Sequence, residues 1–252
     1  MVNNTIALAL SGGGNRGAIH VGVLHAFDVT GIKIDAISGT SAGAIVGALY
    51  SSGISAIQLK EIMDSQTIGT MLHFTLKKGG LANMQGLRNV LDTHMKVDKY
   101  EDLKQKLFVC ASNIDEADSV IFSDGDLFTH ICASASVPIL FRPVEINNQN
   151  YVDGGLFNNL PVDPLLEKYD TIIGVHVNNY KIPDTQNIKR IANQVFSTVI
   201  RHNVKHNMKK CDYVINPKLD KAYRSFGKET TQLLFEIGYN AGIEFLIENK
   251  FM

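Results

Sequence analysis

Residues 34–50 read Ile-Asp-Ala-Ile-Ser-Gly-Thr-Ser-Ala-Gly-Ala-Ile-Val-Gly-Ala-Leu-Tyr, two apolar runs joined by a glycine-flanked serine. The first run, 34–38, has the length and composition of a buried strand, and the second is typical of a helix. Gly39 and Gly43 therefore flank Ser41 at a strand-to-helix turn. Such a turn strains the backbone of its serine and lifts the hydroxyl off the sheet. The pattern predicts Ser41 as a nucleophile; a small-residue helix packed on the sheet is the alternative.

Upstream, directly after the predicted strand 5–10, lies a glycine-rich loop, Ser11-Gly12-Gly13-Gly14-Asn15-Arg16-Gly17. Ten of the 21 glycines of the chain fall within residues 12–53, so the backbone there must turn sharply or approach something closely. The N–H groups of such a loop, at the start of a helix, favour an anion. The loop also fits a dinucleotide pyrophosphate site, with Asp35 near the expected acidic position. The loop alone leaves both interpretations open.

A nucleophilic serine needs a proton acceptor, and the sequence offers two kinds. Asp153 ends a short predicted strand, 150–152, and the glycines at 154 and 155 let the backbone turn so that the carboxylate could meet another element end-on. A plain Asp-Gly turn is the alternative. A serine–aspartate–histidine triad could instead use His176, His202 or His206. The few strands before Ser41 count against an α/β-hydrolase and its triad.

Composition excludes several classes of protein. Of the 252 residues, 24 are Lys or Arg and 25 are Asp or Glu, so no overall charge attracts nucleic acid. Neither a disulfide framework nor a metal site is expected from the spacing of Cys110, Cys132 and Cys211. The apolar run before the glycine loop is too short for a signal peptide, which favours the cytoplasm. The uncharged stretch 36–59 contains too much Ser, Thr and Gly for a membrane span.

Apolar runs alternate with helical patterns along the chain, which predicts an α/β fold with a mainly parallel sheet. The predicted strands are 5–10, 34–38, 107–112, 119–122, 150–152, 171–177 and 213–216. The predicted helices follow the glycine loop and the serine turn and span 86–95, 125–134, 187–210 and 228–249. Because no linker or repeat divides the chain, residues 1–252 are expected to form a single domain.

Taken together, the three motifs resemble those of the patatin-like phospholipase family, serine acyl hydrolases with a serine–aspartate dyad, including its small bacterial members. The resemblance covers residues 5–55 and 130–165. Besides the three motifs it includes Gly47-Ala48-Leu49-Tyr50, Ala133-Ser134-Ala135-Ser136-Val137-Pro138 and Asn158-Asn159-Leu160-Pro161. It implies a three-layer α/β/α fold with a mainly parallel central sheet.

The resemblance also implies a role for each motif. Ser41 would be the nucleophile and Asp153 its direct proton acceptor, with no histidine, no cofactor and no metal. The oxyanion hole would consist of the backbone amides of Gly13, Gly14 and Asn15. Arg16 could contact a phosphate or carboxylate on the leaving side of the substrate, and a solvated arginine is the alternative. The remaining motif positions are Gly12, Gly17, Gly39, Gly43, Gly154 and Gly155. Gly22, Gly31 and Gly53 are expected to be ordinary positions with no specific structural task.

The implied activity is hydrolysis of acyl-lipid esters through an acyl-Ser41 intermediate, of the phospholipase A or lysophospholipase type. Small-ester or thioester hydrolysis with the same dyad and a nucleotide-binding oxidoreductase are the alternatives. The expected partner is an acyl lipid or ester. Residues 185–211 contain no acid and carry basic residues around an apolar stripe, which fits a solvated helix packed on the sheet or one that contacts a membrane. The apolar segment 63–87 fits either core or a mobile lid over the acyl chain.

Overall fold

A computed structural model describes residues 4–65, 83–180, 188–223 and 227–252. Its centre is an eight-stranded sheet in the order β5-β6-β3-β2-β1-β7-β8, with β4 also paired to β3. The strands are β1 (Ile6–Leu10), β2 (Ala36–Thr40), β3 (Lys106–Asn113), β4 (Asp118–Phe122), β5 (Val144–Ile146), β6 (Gln149–Asp153), β7 (Thr171–Val175) and β8 (Tyr213–Ile215). The strands from β3 through β2, β1 and β7 to β8 pair in parallel, whereas β4, β5 and β6 pair antiparallel.

Helices cover both faces of this sheet, which confirms the predicted α/β fold. They are α1 (Gly17–Thr30), α2 (Ala42–Ser51), α3 (Ala56–Asp64), α4 (Gln85–His94), α5 (Leu127–Ser134), α6 (Ile188–Asn207) and α7 (Lys228–Glu248). Leu8 and Leu10 of β1 join the core beneath α1, α2 and α7, whereas Ala7 and Ala9 face the other way and pack in the cluster that contains Val204 of α6. In the ranges described above, no helix combines the length and apolar composition needed to cross a membrane.

Strands β2 and β6 meet end to end along one side of β3. Thr40, the last residue of β2, pairs with Cys110, and Asp153, the last residue of β6, pairs with the next residue, Ala111. The other side of this part of β3 is occupied by β4. Because β2 is parallel to β3 and β6 is antiparallel to it, the carboxyl ends of β2 and β6 point at each other. Ser41 follows one end and Asp153 forms the other.

Two elements were not anticipated from the sequence. Helix α3 begins at a capping box in which Ser55 and Gln58 bond reciprocally, a Ser-x-x-Gln signal that predicts a helix start. Strand β5 forms a hairpin with β6 across Asn147 and Asn148, whose φ angles are 52° and 61°. Two asparagines with positive φ are typical of a tight hairpin turn, so the Asn147-Asn148 pair could have predicted this hairpin.

Helices α1 and α7 pack backbone to backbone at two glycines. A Cβ atom at Gly22 would lie 2.1 Å from the carbonyl oxygen of Phe235, and one at Gly238 would lie 2.1 Å from that of Ile19. The expectation that Gly22 is an ordinary position is therefore wrong, because any side chain there would force the two helices apart. This contact holds the C-terminal helix against the helix that follows the glycine loop.

Candidate active site

Ser41 occupies a strained turn between β2 and α2, with φ of 53° and ψ of −119°. Its N–H donates to Ser134 Oγ at 2.9 Å, and the Ser134 hydroxyl donates in turn to the Cys110 carbonyl at 2.5 Å. A Cβ at Gly43 would lie 2.3 Å from the Leu10 carbonyl oxygen, so only glycine fits where α2 passes the end of β1. The strand-to-helix turn predicted around Ser41 is therefore confirmed, and Ser134 helps to hold it.

Asp153 is a buried carboxylate beside this serine. It accepts a hydrogen bond from the Gly155 N–H at 2.8 Å, and the Ser41 side chain lies close enough to favour its charged form. Only 4% of the residue is exposed. Burial raises the pKa of Asp153 from 3.8 to about 6, although its interactions with Ser41 and Gly155 lower it. The carboxylate is therefore a base nearly as strong as free imidazole, whose pKa is about 6.5.

The glycine loop follows β1 at the same edge of the sheet at which Ser41 follows β2, and it presents backbone N–H groups there. Gly14 has a φ of 55° at the start of a 3-10 turn, a conformation that favours glycine. The Gly12 N–H is already engaged, because it donates to the Asn159 carbonyl at 3.0 Å. The N–H groups of Gly13 and Gly14 donate to no residue in the described part of the chain. Two donors beside Ser41 are thus available to an anion.

Arg16 is fixed against the loop by several contacts. Its Nε donates to Asn178 Oδ1 at 2.9 Å, and its Nη1 donates to the carbonyl of Ala222. The guanidinium lies 4.9 Å from the centre of the Tyr180 ring, and Arg201 of α6 lies 5.4 Å from the same ring. Two cations thus flank one aromatic ring at the wall of the site.

A cavity of about 440 Å³ is lined by the residues assigned to the candidate site, which include Gly12, Gly13, Gly14, Asn15, Arg16, Gly17, Ser41 and Asp153. Much of the remaining wall is apolar and includes Val46, Leu49, Leu59, Met63, Leu87 and Phe141. Gly39, Gly43, Gly154 and Gly155 are not part of this lining, and a Cβ at any of them would lie less than 3.0 Å from a neighbouring atom. Met63 and Leu87 come from the apolar segment 63–87, but residues 66–82 of that segment lie outside the described ranges. The cavity suits an extended apolar ligand whose reacting group reaches Ser41.

The alternative acids and bases do not line this cavity. Among the residues that the structure describes, no histidine lines it. His176 is buried without reaching the cavity lining, and His202 and His206 are exposed on α6. Asp35 precedes β2 and accepts from the Ile6 N–H at 3.0 Å, so it lies at the opposite end of the sheet from the glycine loop. This position cannot serve a dinucleotide bound at the loop.

Three polar residues behind the site were not predicted to have a role in it. Ser134 holds the Ser41 amide, and Asn159 and Asn178 both donate to the Gly12 carbonyl, at 3.4 and 2.6 Å. Ser134 and Asn159 lie in blocks that contributed to the family resemblance, without a role of their own. Asn178 follows β7 and belongs to no motif.

Comparisons with known proteins support one family. The family model for patatin-like phospholipase matches residues 8–166. Patatin-like phospholipase domain-containing protein 7 of Rattus norvegicus is 33% identical over 172 residues, covering 65% of this chain and only 13% of that protein. Probable lipid hydrolase 463L of Invertebrate iridescent virus 6 is 29% identical over 178 residues, covering 62% of this chain and 61% of that protein.

A solved structure shares the fold over nearly the whole chain. VipD from Legionella pneumophila superimposes with a TM-score of 0.59 at 12% identity, covering 97% of this chain and 67% of that one. At this identity the likeness concerns the fold alone. The family model covers well over half of the sequence and includes the glycine loop, Ser41 and Asp153. The chain therefore belongs to the patatin-like phospholipase family.

Proposed function

We propose that this protein hydrolyses the carboxylic esters of acyl lipids through a covalent acyl-Ser41 intermediate. The observation that carries the proposal is that Ser41 and the buried Asp153 carboxylate meet at the facing ends of β2 and β6 and together line an apolar cavity. A hydroxyl becomes an effective nucleophile when a base within hydrogen-bond reach takes its proton. The names of the similar proteins, a lipid hydrolase and a patatin-like phospholipase domain protein, support the same class of reaction.

The reaction runs in two halves. Ser41 Oγ attacks the carbonyl carbon while Asp153 takes the hydroxyl proton, and the carbonyl oxygen becomes an oxyanion. The oxyanion collapses, the bond from the carbonyl carbon to the alcohol oxygen breaks, and Asp153 returns the proton to that oxygen. Water then attacks the acyl-serine with Asp153 again as base, which releases the carboxylic acid and restores Ser41.

We assign the oxyanion hole to the backbone amides of Gly13, Gly14 and Asn15. The first two line the cavity beside Ser41 and donate to no residue in the ranges that the structure covers. One such donor typically contributes about 3 kcal/mol to transition-state stabilisation. The N-terminus of α1, directly behind the loop, adds the favourable end of its helix dipole.

The walls of the cavity indicate the kind of substrate. Their apolar side chains suit an acyl chain, and Arg16 places positive charge beside the loop, where a phosphate or carboxylate on the leaving side would be favoured. The same dyad could hydrolyse a small ester or thioester. Such a substrate would leave most of the apolar wall exposed to water, so the cavity favours the acyl lipid.

We also propose that residues 1–252 act as one unit in the cytoplasm. Ser197, Arg201 and Tyr223, from the C-terminal third of the chain, line the same cavity as Ser41. The three cysteines are all free thiols, which is typical of a reducing compartment.

A fluorophosphonate probe tests the proposed nucleophile. We expect mass spectrometry to locate the label on Ser41, and we expect Ser41→Ala to lose both labelling and hydrolysis of a long-chain acyl ester. Ser52→Ala is the matched control, because Ser52 ends the same helix and its hydroxyl donates only to the Leu49 carbonyl within the described structure. Hydrolysis at the wild-type rate by Ser41→Ala would contradict the proposal.

A rim of exposed apolar residues supports contact with a lipid surface. Ile139 is 77% exposed and has a φ of 73°, and its neighbour Leu140 is 50% exposed while also lining the cavity. A β-branched residue in the left-handed region costs on the order of 1–2 kcal/mol, so the turn displays this side chain at a cost. The apolar wall thus continues to the surface at Leu140. We propose that this rim rests on the membrane or micelle that supplies the substrate.

Ile139→Asn is expected to reduce hydrolysis of vesicle-borne lipid about tenfold or more, because a buried isoleucine contributes roughly 1.5–3 kcal/mol. Hydrolysis of a soluble short-chain ester should not change. The variant should also be more stable to urea, since asparagine tolerates positive φ. The control is Ile247→Asn, since Ile247 is 56% exposed on α7 and does not line this cavity. Equal losses in the two variants would rule out a specific role for the rim.

A further inference from the structure

The carbonyl of Gly12 is held by two asparagine side chains. Asn178 Nδ2 donates to it at 2.6 Å, and Asn159 Nδ2 donates to it at 3.4 Å. The shorter bond comes from a residue that is only 8% exposed. Two donors on one carbonyl oxygen restrict rotation of the peptide unit between Gly12 and Gly13.

The orientation of this carbonyl sets the direction of the Gly13 N–H. The peptide bond is trans, and in a planar trans peptide the C=O and the following N–H point in opposite directions. A run of three glycines can adopt many backbone conformations, so the loop needs external contacts to select one of them. The asparagines engage the carbonyl side of the peptide, which leaves the N–H side facing away from them.

Arg16 determines which end of the Asn178 amide faces the Gly12 carbonyl. Its Nε donates to Asn178 Oδ1 at 2.9 Å, so the oxygen of the amide must face Arg16 and the nitrogen must face Gly12. Arg16 is itself fixed by the Ala222 carbonyl and the Tyr180 ring. A continuous series of contacts therefore leads from Arg16 through Asn178 to the Gly12 peptide.

We infer that Asn178, oriented by Arg16, is a positioning residue that aims the Gly13 amide at the oxyanion formed on Ser41. The inference rests on the proposed ester hydrolysis. It assigns to Arg16 a role in orienting the loop in addition to any contact with substrate. Asn178 also lines the cavity, but in the described part of the chain its side chain bonds to Arg16 and Gly12 and not to Ser41, so the role assigned to it acts through the peptide of Gly12 and Gly13.

The decisive variant is Asn178→Asp. The new carboxylate keeps an acceptor for Arg16 and gains an ion pair with it, but it sets an oxygen instead of a donor against the Gly12 carbonyl. We expect kcat on a soluble acyl ester to fall about a hundredfold with KM nearly unchanged, because small misplacements of a catalytic donor have effects of this size. Asn178→Ala, which removes both contacts, should lose kcat similarly.

The neighbouring asparagine is the control. Asn179 donates to the Asn216 carbonyl at 3.2 Å and, within the described ranges, makes no hydrogen bond to the glycine loop, so Asn179→Asp should keep the wild-type kcat. A spectroscopic readout separates positioning from general damage to the fold. The phosphorus resonance of phosphonylated Ser41 should shift in Asn178→Asp, because the phosphoryl oxygen loses a well-aimed donor, while the circular dichroism spectrum stays that of the wild type.

The outcomes distinguish this inference from the function on which it rests. An active Ser41→Ala variant would contradict the proposed function itself. If Ser41→Ala is inactive but Asn178→Asp keeps the wild-type kcat and phosphorus resonance, the positioning role alone is wrong. A rise in KM without a fall in kcat would also overturn it, since such a change indicates a loss of ground-state binding.

Discussion

Replacing Asp153 with asparagine is expected to abolish ester hydrolysis and, at neutral pH, to make the protein more stable. The loss of activity follows from the loss of the base, and general bases typically contribute 10²–10⁴-fold, so we expect a fall of about 10³-fold. The gain in stability follows from burial. The carboxylate is 4% exposed, and an amide in its place can still accept the hydrogen bond from Gly155 without carrying a charge.

The size and pH range of this gain follow from the pKa of Asp153. In the unfolded chain the group titrates near 3.8, and burial raises its pKa to about 6 in the folded protein. Between these values the unfolded state releases the proton first, so the free energy of unfolding of the wild type falls as the pH rises. The total loss is on the order of 3 kcal/mol, at 1.36 kcal/mol per pKa unit. The Asp153→Asn variant does not lose this stability.

Urea unfolding at several pH values measures the difference. The midpoints of wild type and Asp153→Asn should converge near pH 3.8, diverge up to about pH 6 and then remain a constant distance apart. A variant that is less stable than the wild type at pH 8 would show that the Asp153 carboxylate contributes more through its hydrogen bonds than its burial costs.

The rate of hydrolysis should also depend on the ionisation of Asp153. Deprotonation lowers the stability of the wild type, but it should raise the rate. Only the deprotonated carboxylate can act as a base, so kcat/KM of the wild type should rise through about pH 6 and level off above it. A pKa near this value is commonly attributed to histidine. A His202→Asn, His206→Asn double variant is therefore the control, and it should retain the wild-type profile because both residues are exposed on α6.

Gly238→Ala is expected to destabilise the fold by about 3 kcal/mol. On helix propensity alone, alanine in place of glycine within a helix would stabilise by about 1 kcal/mol. Here the added Cβ would lie 2.1 Å from the carbonyl oxygen of Ile19 and 2.8 Å from its carbonyl carbon. Both are backbone atoms of α1 and cannot move aside as a side chain would, so the helices have to separate.

Gly227→Ala is the matched control for this substitution. Gly227 precedes the same helix and has an extended backbone with φ of 166°, and a Cβ placed on it would have no atom within 4 Å in the part of the chain that the structure describes, its chain neighbours aside. We expect its free energy of unfolding to change by no more than about 0.5 kcal/mol. Stabilisation of Gly238→Ala would mean that the close contact between α1 and α7 does not limit the side chain at this position.

The parts of the fold that depend on local sequence could be predicted. The strand before Ser41, the two glycines around it and the helix after it all lie within a few residues of one another, and each requires a particular backbone conformation. From the residues alone, the approach of Asp153 could be anticipated only as an end-on meeting with another element, and the family resemblance named Ser41 as its partner. The register explains how the two meet, because Thr40 and Asp153 pair with adjacent residues of β3.

The remaining features depend on contacts between distant parts of the chain. The contacts of Asn178 with Arg16 and of Gly238 with Ile19 join residues that lie far apart in sequence, and neither asparagine nor glycine reveals its partner by type. Strand β2 also runs further than predicted, to Thr40, because pairing with β3 extends it up to the strained turn. These contacts and the end of β2 therefore depend on pairing between distant segments, which local sequence patterns do not show.

The family match and the folded core of this protein end at different residues. The family match stops at residue 166, but β1, whose end carries the glycine loop, lies between β2 and β7, and β7 begins at Thr171. A fragment cut at that limit would expose the edge of β1 that pairs with β7 and the face of α1 that packs on α7. Anyone dividing the chain for expression must therefore keep the residues through the end of α7, although the family model does not include them.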